Sequence, residues 1–185
     1  MSYTESTMLP LGTKAPAFHL ADVKSGRIYS FDSLVSDKAT LIMFICNHCP
    51  YVIHVLPEIL KIAKEYEQHG VAIIAISSND ADRYPDDGPD KMKIKAIQMN
   101  FPFVYLYDQN QEVARLYDAA CTPDFYLFDK EKVLVYRGRI DQAKPKNDQP
   151  LNGHDLRKAM DAVLAGKKVD EKQYPSAGCN IKWKQ

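Results

Sequence analysis

Two cysteines separated by two residues form the sharpest chemical pattern in the chain, in the segment Cys46-Asn47-His48-Cys49-Pro50. This spacing lets the two sulfurs approach to bonding distance at the start of a helix. The same spacing also occurs in zinc sites, where such a cysteine pair supplies two of the four ligands. A zinc site needs two further ligands, and a histidine between the cysteines is badly placed to close a tetrahedron. The segment therefore favours a redox-active dithiol.

The context of the segment predicts different roles for the two sulfurs. An apolar run precedes it and a helical pattern follows it, so free N–H groups and the positive helix end should stabilise a thiolate at the first cysteine. We expect Cys46 to be the exposed attacking sulfur. Cys49, one turn inside the helix, should be the buried sulfur that resolves a mixed disulfide. Pro50 suits the first helical turn, and Asn47 and His48 should tune the site.

The elements around this segment alternate as in a three-layer α/β fold with a mixed central sheet. The continuous apolar run 40–45 predicts a strand buried on both faces, and 50–68 shows the apolar period of a helix. A hairpin near the N-terminus should turn at 24–26. The remaining predicted strands are 71–77, 103–107, 125–128 and 133–137, and the remaining helices are 90–99, 111–117 and 153–164.

Composition and charge exclude several classes of partner. The 24 Lys and Arg balance the 24 Asp and Glu, so nothing predicts binding to nucleic acid or to an anionic membrane. The N-terminal residues lack the basic and apolar regions of a secretion signal, which predicts a cytoplasmic protein with reduced thiols. The 185 residues suit one domain, with a core at about 12–166 and a tail of little periodicity at about 167–185. The acidic stretch 80–90 predicts a solvated loop rather than a metal site.

A second segment, 120–124, places Cys121, Thr122 and Pro123 just before a predicted strand. A proline that enters a strand is a candidate for a cis peptide bond. This arrangement resembles the thioredoxin superfamily, in which a strand, a CxxC pair, a helix and a later Thr-Pro follow in the same order. The N-terminal hairpin and the long insertion resemble its peroxiredoxin-like and TlpA-like branch. The strings at 44–51, 120–125, 136–141 and 178–183 are similar to peroxiredoxin-like proteins of the redoxin (AhpC/TSA- and TlpA-like) family.

This resemblance implies a thioredoxin-like fold in which a cis Pro123 lies beside Cys46 and Cys49 and the backbone of Thr122 pairs with an extended substrate. It implies a thiol–disulfide oxidoreductase that acts on a disulfide-containing protein or a small-thiol substrate and is recycled by an unidentified thiol reductant. No cofactor and no metal are expected. Ile45 and His54 replace a tryptophan and a helix proline of thioredoxin, so the partners of thioredoxin are not assumed.

His48 occupies the position where protein disulfide isomerase and DsbA also have histidine and thioredoxin has proline. An imidazolium beside a thiolate stabilises the reduced form. We therefore predict a redox potential above that of thioredoxin, which lies near about −270 mV.

Two other activities remain open. A thiol-dependent peroxidase, an antioxidant activity, is disfavoured because peroxiredoxins carry Pro-x-x-x-Thr-x-x-Cys. Counting back from Cys49, the Thr position holds Cys46 and the Pro position holds Ile42. A metal-binding module on the same fold usually separates its cysteines by three residues. A non-catalytic scaffold is the remaining alternative, and the substrate and oligomeric state are not predicted.

Several accessory residues keep more than one interpretation. Cys121 is either a third redox thiol or a small buried residue. Cys179, in the tail, either resolves an oxidised sulfur, pairs with Cys121, or is structural. Arg137 and Arg139 either stabilise a thiolate or a peroxide, or are solvated at the end of a strand.

Overall fold

The computed structural model describes residues 3–185. Met1 and Ser2, which begin the N-terminal segment without a predicted secretion signal, lie outside the described residues. The strands are β1 (Tyr3–Glu5), β2 (His19–Asp22), β3 (Ile28–Ser30), β4 (Ala39–Phe44), β5 (Val71–Ser77), β6 (Val104–Tyr107), β7 (Cys121–Thr122), β8 (Asp124–Asp129), β9 (Leu134–Gly138) and β10 (Ala177–Asn180). The helices are α1 (Phe31–Leu34), α2 (Pro50–Glu67), α3 (Pro89–Gln98), α4 (Glu112–Leu116) and α5 (His154–Leu164).

A seven-stranded mixed sheet forms the centre, with strand order β3-β2-β6-β5-β4-β8-β9. Strands β4, β5 and β6 are parallel, whereas β2 and β8 run antiparallel to their neighbours. This arrangement confirms the predicted mixed sheet and the predicted N-terminal hairpin of β2 and β3. Strand β4, which lies between β5 and β8 in the interior of the sheet, therefore delivers the chain to the cysteine segment at the carboxyl edge of the parallel strands.

Both faces of β4 are covered, as its continuous apolar run predicts. Leu41 and Met43 share a buried cluster with the apolar faces of α2, α3 and α5. Ile42 and Phe44 share a second buried cluster with α4 and the N-terminal hairpin. A strand clamped between two helical layers is a rigid support for the loop that follows it.

A second, three-stranded antiparallel sheet joins the two ends of the chain in the order β1-β10-β7. The expectation of an irregular tail is wrong here, because residues 177–180 form the central strand of this sheet. The strand Ala-Gly-Cys-Asn has no apolar alternation, so it lacks the usual sequence signal of a strand. Its hydrogen-bonding partners, β1 and β7, are supplied by distant segments. Among the described residues, no helix is long and apolar enough to cross a membrane.

Candidate active site

The two cysteines of the CxxC segment lie where β4 gives way to α2. Helix α2 begins at Pro50, and Cys49 is its N-cap residue. The predicted position of Cys49 one turn inside the helix is therefore wrong. Cys49, rather than Cys46, stands at the positive end of the helix dipole.

Both sulfurs are buried, which corrects the expectation that Cys46 is exposed. Cys46 is 2% exposed and Cys49 is fully buried. The two thiols are close enough for each to shift the pKa of the other, and all four cysteines of the chain are outside disulfides. The Cys49 thiol also donates to the Thr122 carbonyl at 3.2 Å, and the Cys46 sulfur lies 3.4 Å from the Thr122 hydroxyl. The site is thus a closed dithiol in contact with the Thr-Pro segment.

The interaction between the two thiols separates their acidities. It raises the pKa of Cys46, and burial and the nearby Asp87 carboxylate raise it further. The same interaction lowers the pKa of Cys49, a second one with Cys179 adds to this effect, and burial opposes both. The two pKa shifts have opposite directions and favour ionisation of Cys49 before Cys46, the reverse of the order expected from sequence.

A buried carboxylate, Asp87, holds the loop between the two cysteines. Its Oδ1 accepts the backbone N–H groups of Asn47 at 2.8 Å and His48 at 3.2 Å, and its Oδ2 accepts from Asn79 at 2.7 Å. The His48 Nδ1 lies 2.5 Å from the same Oδ2, and its ring stacks on Tyr84. Asp87 is fully buried, so the expectation that 80–90 is a solvated loop is wrong at this residue.

Two further polar side chains complete the site. Lys95 on α3 donates to the Asn47 carbonyl at 2.7 Å, and the Tyr105 hydroxyl donates to the Asn47 side chain at 3.2 Å. Burial lowers the pKa of Lys95, whereas the charges of Cys46 and Asp87 act in the opposite direction. Lys95 is thus a cation whose charge interacts with Cys46. Sequence reasoning missed Asp87, Asn79, Lys95 and Tyr105, because each lies on an element far from the CxxC segment in the chain.

The Thr122–Pro123 peptide bond is cis, as predicted. The edge of Thr122 that should receive an extended substrate is already occupied, since Thr122 in β7 pairs with Cys179 in β10. A Cβ built on Gly178 would lie 2.0 Å from the Thr122 carbonyl oxygen. The chain's own C-terminal strand therefore covers the substrate edge that the resemblance implied.

The accessory residues fall into two groups. Cys179 shares the buried cluster of Cys49 and lowers its pKa, whereas the buried Cys121 thiol donates weakly to the Pro123 carbonyl at 3.9 Å. The Arg137 guanidinium donates to Leu9 and Gln173, and that of Arg139 donates to Asp155. Both arginines are thus engaged by structural partners rather than by the sulfurs.

Within residues 3–185, one group of side chains could together bind a metal ion. Ligand atoms of Cys46, His48 and Asp87 lie within 4.8 Å of one another, and sulfur, imidazole and carboxylate together are ligands that Zn²⁺ accepts. Cys46 belongs both to this group and to the CxxC pair, so a metal ion bound here would compete with formation of the Cys46–Cys49 disulfide.

A dithiol at a strand-to-helix junction, beside a cis Thr-Pro bond, is the site of a redox protein with a thioredoxin-like fold. The model of the AhpC/TSA family matches residues 11–137, and the chain belongs to this family. The match ends before β10.

Three relatives show how widely this architecture is shared. An uncharacterized conserved protein from Geobacillus kaustophilus is 52% identical, with a TM-score of 0.98 over 100% of this chain and 97% of that one. A hypothetical protein from Sinorhizobium meliloti 1021 is 42% identical, with a TM-score of 0.95 over 98% of each chain. The thiol-disulfide oxidoreductase ResA from Bacillus thuringiensis subsp. konkukian is 22% identical over 80% of this chain and 81% of its own length.

Proposed function

We propose that the chain is a thiol–disulfide oxidoreductase whose redox couple is formed by Cys46 and Cys49. The observation that carries this proposal is the convergence of the two buried sulfurs on Thr122, beside the cis Thr122–Pro123 bond. The Cys46 sulfur lies 3.4 Å from the Thr122 hydroxyl and the Cys49 sulfur 3.2 Å from the Thr122 carbonyl. The similarity to a thiol-disulfide oxidoreductase over most of the chain supports it.

The reaction begins once the dithiol has lost one proton, which leaves Cys49 first because the pKa of Cys49 is lowered. The proton of the Cys46 thiol then passes to Cys49, which leaves the thiolate on Cys46. Cys46 then attacks a substrate disulfide, forms a mixed disulfide and expels one substrate thiolate, which takes a proton from solvent. Cys49 attacks the Cys46 sulfur, releases the second substrate thiol and forms the Cys46–Cys49 disulfide. A thiol reductant reverses these steps.

The burial of the site favours a particular class of substrate. Because β10 occupies the edge of Thr122, an extended protein segment can pair there only after this strand leaves. A small disulfide needs a smaller opening to reach Cys46. We propose small-thiol disulfides as the preferred substrates, with protein disulfides reduced more slowly.

The test is a comparison of glutathione disulfide and insulin as substrates of the purified full chain, with dithiothreitol as reductant. Cys46→Ser and Cys49→Ser should each abolish turnover. Cys49→Ser should also retain a mixed disulfide on Cys46, because the resolving sulfur is absent. His69→Gln, at a residue outside the site, is the matched control. Undiminished turnover in the Cys46→Ser/Cys49→Ser double variant would refute the proposal.

The same preparations distinguish the other activities. Thiol-dependent consumption of hydrogen peroxide that exceeds disulfide reduction would favour a peroxidase. Stoichiometric metal that is lost in Asp87→Asn would favour a metal-binding module. The cytoplasmic location stays a prediction, which fractionation of the source cells tests.

A further inference from the structure

We propose that Cys179 is a third redox cysteine, which attacks Cys49 in the oxidised site and moves the disulfide from Cys46–Cys49 to Cys49–Cys179. This inference rests on the proposed function, because it begins from the Cys46–Cys49 disulfide. It adds the C-terminal strand to the redox centre.

The position of Cys179 places its sulfur against Cys49. In the β10–β7 ladder Cys179 lies opposite Thr122, and the Thr122 carbonyl accepts a hydrogen bond from Cys49. The interaction between the two thiols lowers the pKa of Cys49 and raises that of Cys179. All three cysteines belong to one buried cluster, and both of the others lower the pKa of Cys49. Cys49 can therefore exchange one disulfide partner for the other with little movement.

The strand that carries Cys179 is held firmly at the site. Ser176 donates to the Pro123 carbonyl at 2.5 Å, and the Ile181 amide donates to Ala120 at 2.9 Å. The Lys182 amide donates to Asn79, whose side-chain amide in turn donates to Asp87. These bonds run on both sides of Cys179 and connect the tail to the carboxylate that holds the CxxC loop. Cys179 is thus positioned in advance.

The exchange balances without an outside oxidant. Cys179 attacks the Cys49 sulfur of the Cys46–Cys49 disulfide, the Cys49–Cys179 bond forms, and Cys46 leaves as a thiolate. Burial raises the pKa of Cys179 to about 12, so Cys179 must lose its proton as it attacks, and the Cys46 thiolate, whose pKa is also raised, takes up a proton after it leaves. One S–S bond replaces another and no electrons are gained or lost. The product has a reduced Cys46 and a tail covalently tied to α2.

Tryptic mapping distinguishes the two disulfides directly. Cys46 and Cys49 share the peptide 39–61, whereas Cys179 lies on 173–182. The full chain is equilibrated in an oxidising glutathione buffer, quenched in acid, alkylated and digested without reduction. We expect a link between the two peptides with Cys46 alkylated. Cys179→Ser should lose the link but keep the disulfide within 39–61, and Cys121→Ser should keep the link.

The outcomes separate this inference from the proposed function. A wild-type chain with only the disulfide within 39–61, and with Cys179 fully alkylated, would overturn the role of Cys179 and leave the proposed function intact. A chain without any disulfide on 39–61 would overturn both. The wild-type digest decides between these outcomes even if Cys179→Ser does not fold.

Discussion

Gly178 in β10 offers the sharpest perturbation of the covered site. Gly178→Ala would place a Cβ 2.0 Å from the Thr122 carbonyl oxygen and 3.3 Å from the Pro123 ring. Real Cβ contacts essentially never fall below 3.0 Å, so the strand must move by about 1 Å or more. We expect this movement to loosen the β10–β7 ladder and to expose the sulfurs of Cys46 and Cys49 more often.

The size of the effect follows from the cost of overpacking. Adding a methyl group to a well-packed contact costs about 1–3 kcal/mol. We call the site closed when β10 is paired with β7 and open when it is not. If the cost destabilises the closed state alone, the ratio of open to closed molecules rises roughly 5- to 150-fold, since each 1.4 kcal/mol is a factor of ten. When closing is faster than alkylation, the rate of alkylation is proportional to this ratio.

The assay is the rate at which iodoacetamide alkylates peptide 39–61 in the reduced, native protein. The matched control is Gly26→Ala, because Gly26 has φ +72° with no atom within 4 Å of an added Cβ. That substitution strains the backbone by about 1–2 kcal/mol without touching β10. Gly178→Ala should accelerate alkylation and Gly26→Ala should not, although both lower the melting temperature. Equal alkylation rates in the two variants would refute the conclusion that β10 shields the dithiol.

Three further predictions concern charge and packing. Asp87→Asn should raise the redox potential by roughly 30 mV, because the carboxylate opposes a thiolate on Cys46. His48→Gln should lower the potential by a similar amount. Glutathione titration measures both potentials, and shifts of the same sign would contradict the reasoning. Burial raises the pKa of Asp124 to about 7 from 3.8. The folded state therefore holds this proton more tightly than the unfolded state, and the free energy of unfolding should fall as the pH rises from about 4 to about 7. Asp124→Asn should flatten this part of the profile in urea titrations, and an unchanged slope would exclude Asp124 as its source. Ile59→Ala, at a residue 2% exposed, should cost about 2–5 kcal/mol in the same titrations; a loss below 1 kcal/mol would contradict the packing of α2.

The sequence by itself determined the central architecture, because its signals are local. The apolar run of β4 is continuous, and the helical period begins at Pro50, so the CxxC segment had to lie at a strand-to-helix junction. Pro123 just before β8 likewise indicated the cis bond. In each case neighbouring residues carry the pattern, and propensity and periodicity suffice to interpret it.

Only the tertiary structure decided what surrounds the sulfurs. Asp87 lies in an acidic stretch that resembles a solvated loop, yet it is fully buried because the N–H groups of Asn47 and His48 converge on its carboxylate. Strand β10 has no apolar alternation, and its strand conformation depends on hydrogen bonds to β1 and β7, which are distant in the chain. Burial and charge at Cys46 and Cys49 depend on these long-range contacts. For that reason the sequence located the cysteine pair at the strand-to-helix junction but misjudged the exposure of Cys46.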